Sequence, residues 1–256
     1  MRSIYQRGFL RVSRPFKVRR GGQLRSFSKY LSYVQGKSGL EIGGPSEAFR
    51  KGNILPIYEA AGTLDNCDFS KSTEWAKHQE TFLFSPGKPP GRTFICDGSA
   101  LVDIADSSYD FLLSSHNLEH FANPVKALKE WQRVLKPGGA LVLLLPYYRD
   151  TFDHLRKPST VPHMLNDFDQ NIREDDLTHL PEILEKHDLT LDTAAGSKQD
   201  FHNRSLDNFL NRCLDHHVFD ERNSRKFLSS LGFEVLSVEL TIRPHICILA
   251  RTVKGA

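Results

Sequence analysis

The sequence predicts an α/β fold built on an open, mostly parallel sheet, and three observations carry that expectation. The run Leu40-Glu41-Ile42-Gly43-Gly44-Pro45 reads as a short buried strand that ends in a tight turn. Strand-like and helix-like stretches then alternate from residue 38 to about 146, the pattern of a parallel sheet with crossover helices. Two further strand-like runs, Phe233 to Glu239 and His245 to Arg251, are joined by a short turn holding Arg243-Pro244. A hairpin of that kind adds antiparallel strands to the end of the sheet.

Taken in order, the first strand is Gly39 to Ile42. Its Gly-Gly turn lets the backbone bend sharply and approach a ligand with no Cβ in the way. The second strand lies within Ile54 to Leu64, and Thr63-Leu64-Asp65 puts a carboxylate about 24 residues after Glu41. That offset is near the roughly 20 residues expected of a ribose-binding acid in nucleotide-cofactor folds. A Pro/Gly-rich loop follows, Ser85-Pro86-Gly87-Lys88-Pro89-Pro90-Gly91. Thr93 to Cys96 is the third strand, ending in Asp97-Gly98, and Tyr109 to Ser114 is the fourth, ending at His116-Asn117.

The next helix is the best marked. Asn123 suits its N-cap and Pro124 its first turn. Val125, Leu128, Trp131 and Leu135 fall on one face. Lys136-Pro137-Gly138-Gly139 stops it, and Ala140 to Leu145 is the fifth strand. From about 147 to 217 the rhythm lapses into a polar stretch rich in His and Asp. It is too long for a plain loop, so a helical insertion or lid is expected. A helix from about Glu221 to Leu231 then leads into the terminal hairpin.

The 256 residues suffice for one well-buried α/β domain with an elaboration. The longest apolar runs are strand-length, well short of the about 20 residues of a membrane span. Four scattered cysteines, Cys67, Cys96, Cys213 and Cys247, form no Cys-x-x-Cys pair, which argues against a zinc ribbon and for free thiols in a reducing compartment. The net charge of +3 hides an uneven distribution. Residues 1–40 hold ten Lys/Arg and no acid, leaving 24 basic against 31 acidic residues, a net of −7, in the rest. Residues 1–36 therefore read as a basic arm and 37–256 as the folded domain. Such an arm, through residues 1–37, can contact an anionic surface such as lipid or nucleic acid. Its Arg-rich, acid-free composition also fits an organellar transit peptide, while the lack of a long apolar core argues against a secretory signal. A cytoplasmic location is the expectation, organelle targeting the alternative.

Taken together, these marks resemble the class I S-adenosylmethionine-dependent methyltransferases with a methyltransferase-11-like core. The resemblance covers roughly residues 38–146 and 220–252. It rests on Leu40-Glu41-Ile42-Gly43-Gly44, Asp65, Cys96-Asp97-Gly98 and Tyr109 to His120. Val134-Leu135-Lys136-Pro137-Gly138-Gly139 before an apolar strand is the most specific piece. It implies a Rossmann-like, mostly parallel seven-stranded sheet with an antiparallel C-terminal hairpin, and S-adenosylmethionine as cofactor. It implies that Glu41 sits near the methionine amino group or orders the turn, and that Ile42, Gly43 and Gly44 form the cofactor-facing bend. Asp65 would take the ribose hydroxyls, Asp97 and Gly98 would flank the adenine, and His116 and Asn117 would lie near the sulfonium. The sequence departs from the family's Gly-x-Gly turn, because Pro45 and Glu47 occupy later glycine positions and Pro45 removes a backbone donor.

The reading that follows is a methyltransferase of a small-molecule or glycan acceptor, most simply at oxygen. A hydroxyl acceptor needs a base within hydrogen-bond reach. His116 is the first candidate, then His154 and Asp153 just past the fifth strand. Each is as readily a polar residue with a satisfied hydrogen bond, and His120 reads as structural. The insertion also holds His163, Asp167, His187-Asp188 and His216-His217-x-x-Asp220, which are metal-ligand types. No pair has a specific metalloenzyme spacing, so no metal is assigned. Two other readings stay open: a nicotinamide-dependent oxidoreductase, and a non-catalytic domain that uses its basic arm to bind a membrane, nucleic acid or partner.

Overall fold

The computed structural model describes residues 22–72, 81–241 and 245–253. Most of the basic arm and the Arg243-Pro244 turn lie outside the described residues. The strands are β1 (Ser38–Ile42), β2 (Thr63–Asp68), β3 (Thr81–Phe82), β4 (Gly91–Ile95), β5 (Tyr109–Ser115), β6 (Leu135–Pro146), β7 (Phe233–Leu240) and β8 (His245–Thr252). They form one sheet in the order β3-β4-β2-β1-β5-β6-β8-β7. Neighbours from β4 to β6 run parallel. β8 runs antiparallel to both β6 and β7, as the terminal hairpin requires. The sheet has eight strands instead of the expected seven, because the two-residue β3 adds an antiparallel edge to β4.

Helices cover both faces. They are α1 (Phe27–Val34), α2 (Ile57–Ala60), α3 (Pro124–Val134), α4 (Val161–Asp169), α5 (Leu180–Lys186), α6 (Lys198–Leu206), α7 (Asn208–Asn211) and α8 (Glu221–Ser230). The alternation within β6 divides the core. Leu141, Leu143 and Leu145 pack with Val125, Leu128 and Trp131 of α3 and Phe227 of α8. Ala140, Val142 and Leu144 pack with Phe27, Tyr30 and Val34 of α1 and with Ile57 and Tyr58 of α2. Residues through 36 are therefore not all a loose arm, since α1 closes one face of the core.

α3 forms as its signals predict. The Asn123 side chain accepts from the Lys126 N–H, and Pro124 opens the helix. The helix ends at Val134, where Leu135 turns extended, so Lys136 to Gly139 fall within β6, with Gly138 at φ 78°. The second strand differs most from expectation. Ile54 to Leu64 begins with a loop and the short α2, and β2 extends on to Asp68. Its sequence, Thr-Leu-Asp-Asn-Cys-Asp, is polar enough that no alternating apolar pattern marks it. The insertion is helical as expected, carrying α4 to α7.

Candidate active site

The strand order reverses between β1 and β5, which lie side by side yet lead to opposite halves of the sheet. The crevice at their carboxyl ends is where an open α/β sheet receives its ligand. There the chain turns at Gly43, with φ 75°, and its N–H donates to the Cys67 carbonyl. A Cβ on Gly43 would come within 2.6 Å of Asn117 Nδ2, and one on Gly44 within 2.5 Å of the Glu41 carboxyl carbon. Only glycine fits this bend.

Glu41 is fully buried and orders the turn. Its carboxylate accepts from Tyr58 OH at 2.6 Å and from Ser46 N–H at 3.1 Å. Burial pushes its pKa up to about 7, against those lowering hydrogen bonds. Ser46 follows Pro45, so the turn is anchored beyond the proline, and the Gly44-Pro45 bond is cis. Of the two tasks implied for Glu41, the geometry supplies the second. Gly44 N–H donates to Asn66 Oδ1 at 2.9 Å, while Asn66 Nδ2 is buried with no hydrogen-bond partner. That leaves one spare donor beside the turn.

Asp65 is not at this edge. It sits three residues before the end of β2, in register with Leu40. There it accepts from Tyr109 OH at 2.7 Å and from Arg92 N–H at 2.7 Å. The carboxylate at the end of β2 is Asp68. The reason is the register: β2 starts where the sequence reading ended it, so its terminal acid falls three residues later. Asp97 follows β4 as expected and accepts from Ser99 N–H and Oγ. Its other oxygen pairs with Arg212 at 3.2 Å. Gly98 packs beside Phe121 and Ile42, and its carbonyl accepts from Trp131 Nε1.

Arg212 comes from the insertion. Its guanidinium also meets Glu174 at 3.2 Å and lies 5.5 Å from the Phe69 ring centre. Phe69 directly follows Asp68, so one insertion residue bridges the ends of β2 and β4. The lid thus closes on the edge where Asp68 and Asp97 stand.

His116 takes the left-handed conformation, φ 51°, just past β5. Its Nε2 lies 2.5 Å from Nδ1 of His245, the first residue of β8. Burial lowers its pKa to about 4, so it is neutral at pH 7. The other two candidate catalytic residues are engaged elsewhere. His154 Nδ1 bonds the Thr151 carbonyl, and its Nε2 faces Asp188 at 3.8 Å. Asp188 lines a cleft of about 280 Å³ inside the insertion, with Leu155, His187 and Phe201. Asp153 is buried against Arg156 at 3.1 Å. Its pKa is driven up by burial and by Asp215, with which it shares a hydrogen bond. A carboxyl held this way is a strut of the insertion rather than a base facing the sheet.

The sequence reading passed over Arg156 and Asp215, which complete this network with His120, His216 and His217. His120 Nδ1 meets Asp215 at 3.0 Å. Burial opposes a charge on His120, yet Asp215 and Glu119 hold its pKa up at about 9. Arg156 donates to the Asp215 carbonyl at 2.7 Å and to the His216 carbonyl at 3.3 Å. Burial lowers the His216 pKa to about 3 and takes His217 well below its ordinary value. Arg156 and Asp215 carried no spacing signal. Their only mark was charge in a segment that looked solvated.

A parallel sheet covered on both faces, with a glycine turn and acids at the switch point, defines a protein that binds a nucleotide-type cofactor. Residues 52–143 match the family model described as a methyltransferase domain. A curated relative, an "Uncharacterized RNA methyltransferase" of Chlamydia muridarum, is 24% identical over 147 residues, 56% of this chain and 35% of its own length. The chain thus spans about a third of the curated relative it matches. An S-adenosylmethionine-dependent methyltransferase structure from Mesorhizobium loti aligns with a TM-score of 0.51 at 14% identity, covering 88% of this chain and 95% of that one. A putative methyltransferase structure from Bacillus halodurans aligns at 0.50 and 12% identity, covering 90% and 98%. Residues 52–143 thus match a methyltransferase domain, and the fold is that of S-adenosylmethionine-dependent methyltransferases, whose cofactor is S-adenosylmethionine. The residues fit that cofactor: a bend that only glycine fills, a spare buried donor at Asn66, and acids at the ends of β2 and β4. Among the described residues no helix is long and apolar enough to cross a membrane. The four cysteines are free thiols.

Proposed function

We propose that this chain methylates a hydroxyl of a small-molecule or glycan acceptor, with His116 as the base. S-adenosylmethionine supplies an activated methyl group when bound. The chain's own residues then bind, align and deprotonate. Gly43 and Gly44 admit the cofactor to the backbone, Asp68 accepts from the ribose hydroxyls, and Asp97 faces the adenine. Two acceptor oxygens on one carboxylate suit vicinal hydroxyls. Alignment of the acceptor is worth several kcal/mol when reacting atoms are held at near-attack distance.

The single observation that carries this reading is the position of His116. It stands just past the carboxyl end of β5, neutral, next to His245 and within electrostatic reach of Asp215 of the insertion. Asp215 lies near enough to favour the imidazolium form after a proton is taken. A carbon or sulfur acceptor would make less use of a neutral imidazole there.

An RNA acceptor is the second reading. The name of the Chlamydia relative and the ten basic residues of 1–40 favour it. The net charge of −7 over residues 41–256 works against it, since affinity for nucleic acid rests on phosphate neutralisation. The experiment is S-adenosylhomocysteine release by the full chain, measured with sugar and polyol acceptors and, separately, with total RNA. Release with hydroxyl-bearing small molecules alone supports the proposal. Release with RNA alone moves the acceptor to nucleic acid and overturns it.

A further inference from the structure

We propose that His163, Asp167 and His217, joined by His179, bind one divalent transition-metal ion of the zinc type. His163 and Asp167 lie one helical turn apart on α4, so their side chains emerge on the same face. Their ligand atoms and that of His217 all lie within 4.8 Å of one another. His163 Nε2 is 3.5 Å and His217 Nε2 is 3.8 Å from Asp167 Oδ2. Donors held at about 2.0–2.2 Å around a tetrahedral ion stand roughly 3.4 Å apart, so only a slight contraction is needed. His179 Nε2 is 2.9 Å from His163 Nε2, so a third imidazole adjoins the cluster on its His163 side. The rings of His163, His179 and His217 are mutual neighbours, with centroids 4.9 to 5.7 Å apart.

Unmade hydrogen bonds supply the independent support. Asp167 is 5% exposed, and its Oδ2, the atom facing both histidines, has no hydrogen-bond partner. His217 Nε2, the nitrogen nearer Asp167, also lies 3.4 Å from the Ala122 carbonyl, a long contact that an ion would replace. A buried polar atom left unpaired costs about 1–3 kcal/mol, more when charged. A cation among these donors would satisfy the carboxylate directly. Two imidazoles and one carboxylate, with a third imidazole adjacent, select zinc, cobalt or nickel, whereas magnesium and calcium prefer oxygen donors.

The site lies apart from the cofactor turn and does not depend on the acceptor. It joins α4, the start of α5 and the segment before α8. His217 N–H donates to the Glu119 carbonyl, in the short turn that follows β5. An ion there would fasten three parts of the insertion beside the active edge.

The test uses the full chain without a polyhistidine tag, stripped of metal and titrated with zinc against a chromophoric chelator. The expected result is one zinc per chain. Asp167→Asn and His163→Ala should each weaken it roughly 100-fold or more. His202→Ala, on α6 outside the cluster, should match the wild type. Asp167→Asn keeps the side-chain shape, and His163 is only part-buried, so both variants should remain folded by circular dichroism. No zinc uptake by the folded wild-type chain, or wild-type affinity in both cluster variants, overturns the proposal.

Discussion

In the sheet, β6 alone buries Ala140 to Leu145 against two helical layers, and nearly everything inside is hydrocarbon. In the insertion, the apolar cluster amounts to Leu180, Ile183, Ala195, Phe201 and Leu214. Apart from Tyr147 and Met164, which join the main core, its other buried side chains are polar, among them Asp153, Arg156, Asp167, Glu174, Asn208, Asp215, His216 and His217. Hydrocarbon burial tolerates changes of charge state, while a buried ionic network depends on every member. The insertion should therefore respond to single charges and to pH in ways the sheet does not.

The sharpest test is Arg156→Ala. Arg156 is buried, pairs with Asp153 and donates to the carbonyls of Asp215 and His216. Removing it strands buried carboxyls and should cost about 3–5 kcal/mol. Limited proteolysis should then cut within residues 147–217 while a folded sheet persists. Leu141→Ala, a core truncation of about 2–5 kcal/mol, should instead loosen the whole domain. If Arg156→Ala costs under about 1 kcal/mol in urea unfolding, the network is not what holds the insertion.

The second test concerns the two histidines at the junction. His116→Ala should lower turnover roughly 10²–10⁴-fold, the scale of a lost general base. S-adenosylhomocysteine affinity should barely change. His154→Ala should leave turnover near wild type, because its partners are Thr151 and Asp188 inside the insertion. A large effect at His154 and none at His116 would move the catalytic edge into the insertion.

The same contrast explains what the sequence disclosed. The runs at 39–42, 109–114 and 140–145 are apolar, and Asn123-Pro124 and Lys136 to Gly139 punctuate them, so those elements were legible. β2 was misplaced because Asp65, Asn66 and Asp68 interrupt its apolar pattern, and its burial comes from neighbours on both sides. The insertion was read as a polar lid, which its helices match, but its buried charges were not foreseeable. Burial of an Arg or His is decided by tertiary partners such as Asp215, more than 50 residues from Arg156. α1 was hidden for the opposite reason: Phe27, Tyr30 and Val34 sit within a stretch dominated by basic residues.

The third test separates the two acids of β2. Asp68→Ala should weaken S-adenosylhomocysteine by about 1.5–3 kcal/mol, the scale of hydrogen bonds to a charged group. Asp65→Ala removes the Tyr109 and Arg92 contacts and should alter stability more than cofactor affinity. The reverse pattern by calorimetry would mean that the ribose is held further back along the strand.

The last effect, and the one with opposite signs in the two regions, is pH dependence. His216 has a folded pKa of about 3 against 6.5 when unfolded, so the unfolded chain binds its proton more readily. Stability from this group therefore falls as pH drops from about 6.5 toward 3, with about 2 kcal/mol lost by pH 5. Glu41 runs the other way. Burial raises it from 4.5 to about 7, so its contribution is present in acid and lost as pH rises from about 4.5 through 7. Between pH 8 and pH 5 the sheet should gain about 2–3 kcal/mol from it. Glu119, raised mainly by burial to about 8, acts in the same direction. The His120–Asp215 pair persists across this window, because His120 stays charged up to about 9 and Asp215 is held well below the usual carboxylate range, His120 outweighing burial. Moving from pH 8 to pH 5 should therefore speed proteolysis within the insertion while amide exchange in β1 and β5 slows. His216→Asn should flatten the first response and Glu41→Gln the second. If both regions loosen together in acid, or if neither variant changes its own region's slope, the division between an apolar sheet and a charge-held insertion fails.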